Sequence, residues 1–169
     1  IKSSNSIDIE DFKSSKNFSK SFIDRLLLDD SRIDGMLDSI KEIIDFKDPV
    51  GQIKSLELMK SGIKVGKMSM PLGVIAMIYE SRPNVTVDAS ALSIKSGNAI
   101  ILRGGSESIN TNLVLAKCVK NSLTKNNVDQ DIVQLIDNTD RNIVNELLLQ
   151  NNYIDIVIPR GGKNLIKLI

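Results

Sequence analysis

Residues 73–79 read GVIAMIY, an apolar run with no polar residue to alternate against. A strand with one wet face alternates; an unbroken run of this length belongs to a strand buried on both faces. Further strands are expected at NAIIL (98–102), DIVQLI (131–136) and YIDIVI (153–158). Helical stretches follow each of them, over 85–96, from about 106 to 123, from about 140 to 150, and from Lys163 onward. Four strand–helix units in series predict an α/β fold: a parallel, Rossmann-like sheet with helices on both faces.

Two other zones precede this core at 71–169. Residues 1–50 form a helical lead-in, with Phe22, Ile23, Leu26 and Leu27, then Ile33, Met36, Leu37, Ile40, Ile43 and Ile44, at helical spacing. Asp29, Asp30 and Ser31 between them supply a cap and a helix start, and Asp48-Pro49-Val50-Gly51 a stop. Residues 51–70 alternate instead: LELM and IKVGKM around Lys60-Ser61-Gly62 predict a β-hairpin. Such a ribbon, with no core of its own, leans on something else, often a second subunit.

Several functions are disfavoured by what the chain lacks. It holds no histidine, which removes Ser-His and Cys-His nucleophile pairs and any His-containing zinc site; no metal site is expected. A net charge of +1 and few aromatics argue against nucleic acid. No apolar run reaches membrane-spanning length, and the single cysteine fits a reducing, cytoplasmic setting. That residue, Cys118, lies inside a helical stretch, where a small buried apolar role is expected. Ile1 opens the chain in mid-pattern, as a segment of a longer polypeptide would.

Two corners read almost alike: ILRGGSE, with Arg103, Gly104, Gly105, Ser106 and Glu107, and VIPRGGKN, with Arg160, Gly161 and Gly162. Both fall at carboxyl ends of predicted strands, where open parallel sheets bind ligands. Glycines let the backbone approach a ligand, the next helix offers free N–H groups, and each arginine can reach a phosphate. Each is equally readable as a tight turn with a solvated arginine. Neither fits G-x-G-x-x-G or the Walker pattern. In YESRPNVTVD, Pro83 ends a strand, and Asn84 either caps the next helix or turns its amide N–H toward a developing oxyanion.

The segments YESRPNVT, LRGGSE and IPRGG resemble the γ-glutamyl phosphate reductases (glutamate-5-semialdehyde dehydrogenases) of the aldehyde dehydrogenase superfamily, from about Asn5 to the end of the chain. The resemblance implies NADP(H)-dependent reduction of L-glutamyl 5-phosphate to L-glutamate 5-semialdehyde and phosphate, in proline biosynthesis, by way of a cysteine thioester. It implies Asn84 in the oxyanion hole, Arg103, Gly104, Gly105, Ser106 and Glu107 at the adenosine ribose, and Arg160, Gly161 and Gly162 at the pyrophosphate. It makes the hairpin an oligomerisation ribbon of a homo-oligomer, and glutamate 5-kinase a candidate associate. On the loop after the second strand, Arg103 suits a 2′-phosphate whereas Glu107 suits an unphosphorylated ribose.

The family's catalytic cysteine falls beyond Ile169 and its sequences begin before Ile1. Residues 1–169 are therefore expected to be most of the cofactor-binding domain, without the catalytic Cys domain and inactive alone. Alternatives on the same fold are the reductase part of a bifunctional pyrroline-5-carboxylate synthase and a non-catalytic nucleotide-binding module.

Overall fold

A computed structural model describes residues 1–14 and 19–169. In chain order the elements are helices α1 (Lys2–Lys13), α2 (Lys20–Leu26) and α3 (Asp30–Asp45), then strands β1 (Ile53–Leu58), β2 (Lys64–Met68) and β3 (Val74–Tyr79). There follow α4 (Asn84–Lys95), β4 (Ala99–Arg103), α5 (Ile109–Lys125), β5 (Val133–Leu135), α6 (Asn142–Leu148), β6 (Ile156–Arg160) and α7 (Lys163–Leu168).

Strands β3 to β6 form one parallel sheet in the order β5-β4-β3-β6. The period-2 geometry of a strand sorts the apolar runs between two faces. Ile75 and Tyr79 of β3 join Ile100 and Leu102 of β4 against Val85 and Ala89 of α4 and Leu123 of α5. Ala76 and Ile78, from the intervening positions, pack on Val144 and Leu147 of α6, with Leu165 of α7 beside them. Each buried face is thus covered by two helices, as the unbroken apolar runs require. A third layer sits outside the first, where Leu28 and Met36 of the lead-in meet Leu115 of α5.

The strand order reverses at β3, which has β4 on one side and β6 on the other. The crevice at such a reversal, at the carboxyl ends of the strands, is where open parallel sheets hold ligands. The loops after β3, β4 and β6 meet there.

Strands β1 and β2 form a separate antiparallel ribbon, every residue of which is exposed. Two expectations are corrected. Cys118 is exposed: the buried stripe of α5 runs through Thr111, Asn112, Leu115, Ala116 and Leu123, and Cys118 falls beside that stripe. The strand expected over 131–136 shrinks to Val133–Leu135, because residues 130–132 wind into a 3₁₀ turn started by the Asp129 side chain. Among the described residues no helix is long and apolar enough to cross a membrane.

Candidate functional site

Two carboxylates join the three loops at the crevice. Glu107, after β4, accepts the Ser81 N–H at 2.8 Å and its Oγ–H at 3.1 Å. Ser81 has a left-handed backbone (φ 52°), uncommon for a serine, and these bonds help hold it. Glu80, also after β3, accepts the Gly162 N–H at 2.9 Å, while its own N–H donates to the Arg160 carbonyl at 3.2 Å. A Cβ at Gly161 would stand 2.6 Å from Glu80 Oε2 and 2.7 Å from Leu165 Cδ2, so a side chain there would have to push the ends of both away. The two glycine-rich corners, far apart in sequence, are thereby fastened to one central loop.

The β4 corner borders a pocket of about 350 Å³, whose walls include Glu80, Arg103, Gly105, Ser106, Glu107 and Arg141; the β6 corner reaches it only through the Gly162 N–H on Glu80. A cleft of about 580 Å³ shares Glu80, Ser106, Glu107 and Arg141 with it and runs on toward Asp8 and Asp11 of α1.

The β4 corner is rigid from beneath. Tyr79 Oη lies 2.7 Å from Thr86 Oγ1, which donates to Asn112 Oδ1 at 3.1 Å, so the phenol is the donor to Thr86. Asn112 Nδ2 then donates to Ser108 Oγ at 3.0 Å, and Ser108 donates to the Gly105 carbonyl at 3.3 Å. Burial pushes the Tyr79 phenol up to about 12, against smaller opposing effects of the Thr86 bond and the Arg103 charge. A Cβ on Gly104 would run into Asn112 Nδ2, so this network also dictates the glycine. The first turn of α5 is filled as well: Asp8 of α1 accepts the N–H groups of Asn110 at 3.1 Å and Thr111 at 2.8 Å. The anion at that helix start belongs to the chain itself.

Arg103 is turned inward. It is 7% exposed and donates to the carbonyls of Gly104, Thr139 (3.1 Å) and Asp140 (3.3 Å), leaving Nε buried without an acceptor among the described residues. Its guanidinium shapes the wall of the pocket. Arg141, on the same wall, is exposed, and its side chain makes no hydrogen bond or ion pair among the described residues.

Asn84 and Arg160 lie elsewhere. Asn84 opens α4 after Pro83, which has no side-chain cap bond; its amide nitrogen donates to Asp88 Oδ2 at 2.9 Å. The capping role considered for Asn84 is thus not adopted. Asp88 Oδ1 is buried without a partner among the described residues, and burial raises this carboxyl above its usual range, while the Asn84 bond and the Arg160 charge pull it down. Arg160 pairs in register with Tyr79 and shares with Asp88 a pocket of about 280 Å³ beside α4, not the pocket of the glycine corners.

Sequence reasoning missed Glu80, Ser81, Asp88 and Arg141. Glu80 and Ser81 sit within the YESRPN segment that it did single out, directly after the apolar run; Asp88 is one helical turn beyond Asn84.

Around the crevice stand the carboxylates of Glu80 and Glu107, which accept hydrogen bonds, the exposed cation of Arg141, and the buried Arg103 Nε, a donor without a partner among the described residues. The Gly162 amide holds the Glu80 carboxylate, so a phosphate seated there would have to displace an anion already in place.

No protein-family model matches the chain. Curated relatives do. The chain is 54% identical over 154 residues to γ-glutamyl phosphate reductase of Colwellia psychrerythraea, covering 91% of this chain and 37% of the relative. It is 46% identical over 169 residues to that of Psychrobacter arcticus, covering 100% and 39%. The crystal structure of the Thermotoga maritima γ-glutamyl phosphate reductase superposes with a TM-score of 0.94 at 39% identity, over 99% of this chain and 40% of that one. A probable aldehyde dehydrogenase from Listeria monocytogenes, 15% identical, has a TM-score of 0.70 over 98% of this chain and 34% of that one; it shares the fold. The chain therefore spans about two fifths of the length of these reductases. Sequence and fold agree along that span, and over it the chain matches the γ-glutamyl phosphate reductases.

Proposed function

We propose that the chain is the cofactor-binding part of an NADP(H)-dependent reductase that converts L-glutamyl 5-phosphate to L-glutamate 5-semialdehyde and phosphate. The observation that carries this reading is a pocket at the sheet reversal lined by the β4 glycine-rich corner and by Glu80, which the Gly162 N–H of the β6 corner holds, in a fold shared with solved γ-glutamyl phosphate reductases. When bound, the nicotinamide supplies the hydride.

The chain's own residues position and stabilise. Gly104, Gly105 and Ser106 bring backbone close to the ribose, Glu107 and Glu80 accept its hydroxyls, and Gly161 and Gly162 border the pyrophosphate. Arg141 and the inward Arg103 set the positive field for a 2′-phosphate, and Arg160 adds a charge beside Asp88. Asn84 has two N–H groups on its amide; one is held by Asp88, and the other donates to the acyl oxygen as it gains charge. The thiolate that attacks the acyl carbon and expels phosphate comes from residues outside these 169, since Cys118 lies on α5 and touches neither Asn84 nor the crevice pocket.

Nicotinamide fluorescence tests the cofactor assignment. NADPH titrated into the protein should bind saturably. Arg141→Ala should raise the NADPH dissociation constant about tenfold, the loss of one charge-assisted phosphate contact, with NADH changed little. Equal losses for the two cofactors would refute the 2′-phosphate role; no saturable binding of either would refute the site.

A further inference from the structure

Asn84 lines a further pocket, of about 430 Å³, between the loop after β3, α2 and the start of α3. Three arginines line it, Arg25, Arg32 and Arg82, against a single carboxylate, Asp24. Two of the cations are engaged. Arg32 pairs with Asp24 at 2.6 Å and donates to the Leu27 carbonyl at 3.1 Å. Arg25 uses Nε on the Ser21 carbonyl at 3.3 Å and lies 5.4 Å over the Phe22 ring.

Arg82 is different. Its side chain makes no hydrogen bond or ion pair among the described residues, yet its backbone is held on both sides. Ser81 before it is fixed by Glu107, Pro83 after it is fully buried, and its own carbonyl accepts the Val85 N–H at 3.1 Å. An unspent guanidinium on a fixed backbone, two residues before Asn84, is a cation prepared for an anionic ligand. Arg82 is exposed, and the neighbouring positive charge of Arg25 and Arg32 makes the pocket a stronger phosphate partner than a lone surface arginine.

We infer that this pocket seats the acyl-phosphate substrate, with Arg82 holding the phosphoryl group and Arg25 the carboxylate at the far end of the glutamyl chain. The inference rests on the reductase reading above and adds the substrate subsite to it. The geometry is set by the substrate itself. The phosphate is bonded to the carbon whose oxygen Asn84 is to stabilise, so the cation that meets it must stand close to Asn84 in the same pocket; Arg82 is the nearest arginine to it along the chain. The pocket volume lies within the range of small-molecule sites. An excess of two positive charges among the side chains lining it, three arginines less Asp24, matches the anionic character of the ligand.

The test uses the complete reductase in the reverse direction, where inorganic phosphate is a substrate and its concentration can be varied. Arg82→Gln should raise KM for phosphate at least tenfold, with KM for NADP⁺ within twofold of the parent, and Arg82→Lys should recover part of the loss. Arg25→Gln should instead raise KM for the semialdehyde and leave that for phosphate nearly unchanged. An active Arg82→Gln enzyme with an unchanged phosphate KM overturns the subsite and leaves the reductase reading intact. A parent enzyme with no phosphate-dependent activity overturns the reductase reading itself. Should Arg82→Gln fail to fold, a phosphate KM unaltered in Arg82→Lys overturns the subsite equally, because a bidentate arginine contact does not survive replacement by lysine without loss.

Discussion

At the scale of single residues, the orientation of Asn84 is the most consequential detail. A carboxylate only accepts hydrogen bonds, so Asp88 at 2.9 Å forces the amide nitrogen, not the oxygen, toward itself. That fixes the plane of the carboxamide and leaves its second N–H without a partner among the described residues, the group that the proposed reaction would use. Asp88 holds this position although burial raises its carboxyl and leaves Oδ1 unpartnered, which marks it as a positioning residue whose cost needs a return. In the complete reductase, Asn84→Ala should lower kcat by about a hundredfold, in line with loss of one oxyanion donor. Asp88→Ala should lower it about tenfold, by misaligning Asn84, and the double variant should be no slower than Asn84→Ala alone. Losses that multiply in the double variant would show that Asp88 acts independently of Asn84. Asn84 was legible in the sequence because Pro83 sets it at a strand end. Asp88 was not, since a polar pair four apart on a helix usually reads as solvated surface.

The elements differ in how openly the sequence declares them. The central strands β3 and β4 are announced by apolar runs, because burial on both faces removes the need for polar positions, whereas the edge strands β5 and β6 keep exposed positions. Helix α1 carries no such signal: its buried residues are Asn5 and Asp8. Asn5 donates to the Leu26 carbonyl at 2.9 Å and accepts the Leu28 N–H at 2.7 Å, tying α1 to the end of α2. Asp8 caps α5 from outside that helix. Polar docking of this kind has no periodic signature, and its partners lie about a hundred residues apart. The same cause hid the fate of the β4 corner. The sequence shows glycines and a charged pair there, but not that Arg103 turns to the carbonyls of Thr139 and Asp140, or that Glu107 is spent on Ser81. Asp8→Ala leaves the first-turn amides of α5 unmet and should cost on the order of 2 kcal/mol. Thermal or urea unfolding would register this as a lower midpoint, with Asp8→Asn intermediate. An unchanged midpoint would mean that α1 contributes nothing to the stability of the sheet domain.

At the scale of the whole molecule, the ribbon is the part that does not close on itself. Two strands alone are marginal in water, and β1 and β2 have no layer over either face. Ile53, Leu56, Leu58, Ile63, Val65 and Met68 are all more than half exposed, and Leu58 reaches 70%. Gly66 keeps the ribbon tight, since a Cβ there would stand 3.1 Å from Leu56 Cδ1, and Ser55 at φ 53° accompanies a register shift between Lys54 and Glu57. Sequence and geometry here invest in the shape of a surface that nothing among the described residues covers. A contiguous apolar surface of this kind on a folded protein marks an interaction site, and we propose that a second copy of the chain covers it. Leu58→Glu with Ile63→Glu places charge in that surface without touching the sheet core, and should convert an assembly into a species of single-chain mass by light scattering. The far-UV circular dichroism spectrum and the NADPH affinity should both persist, because neither residue borders the crevice pocket. Retention of the parent mass in the double variant would show that the ribbon is not the contact between copies.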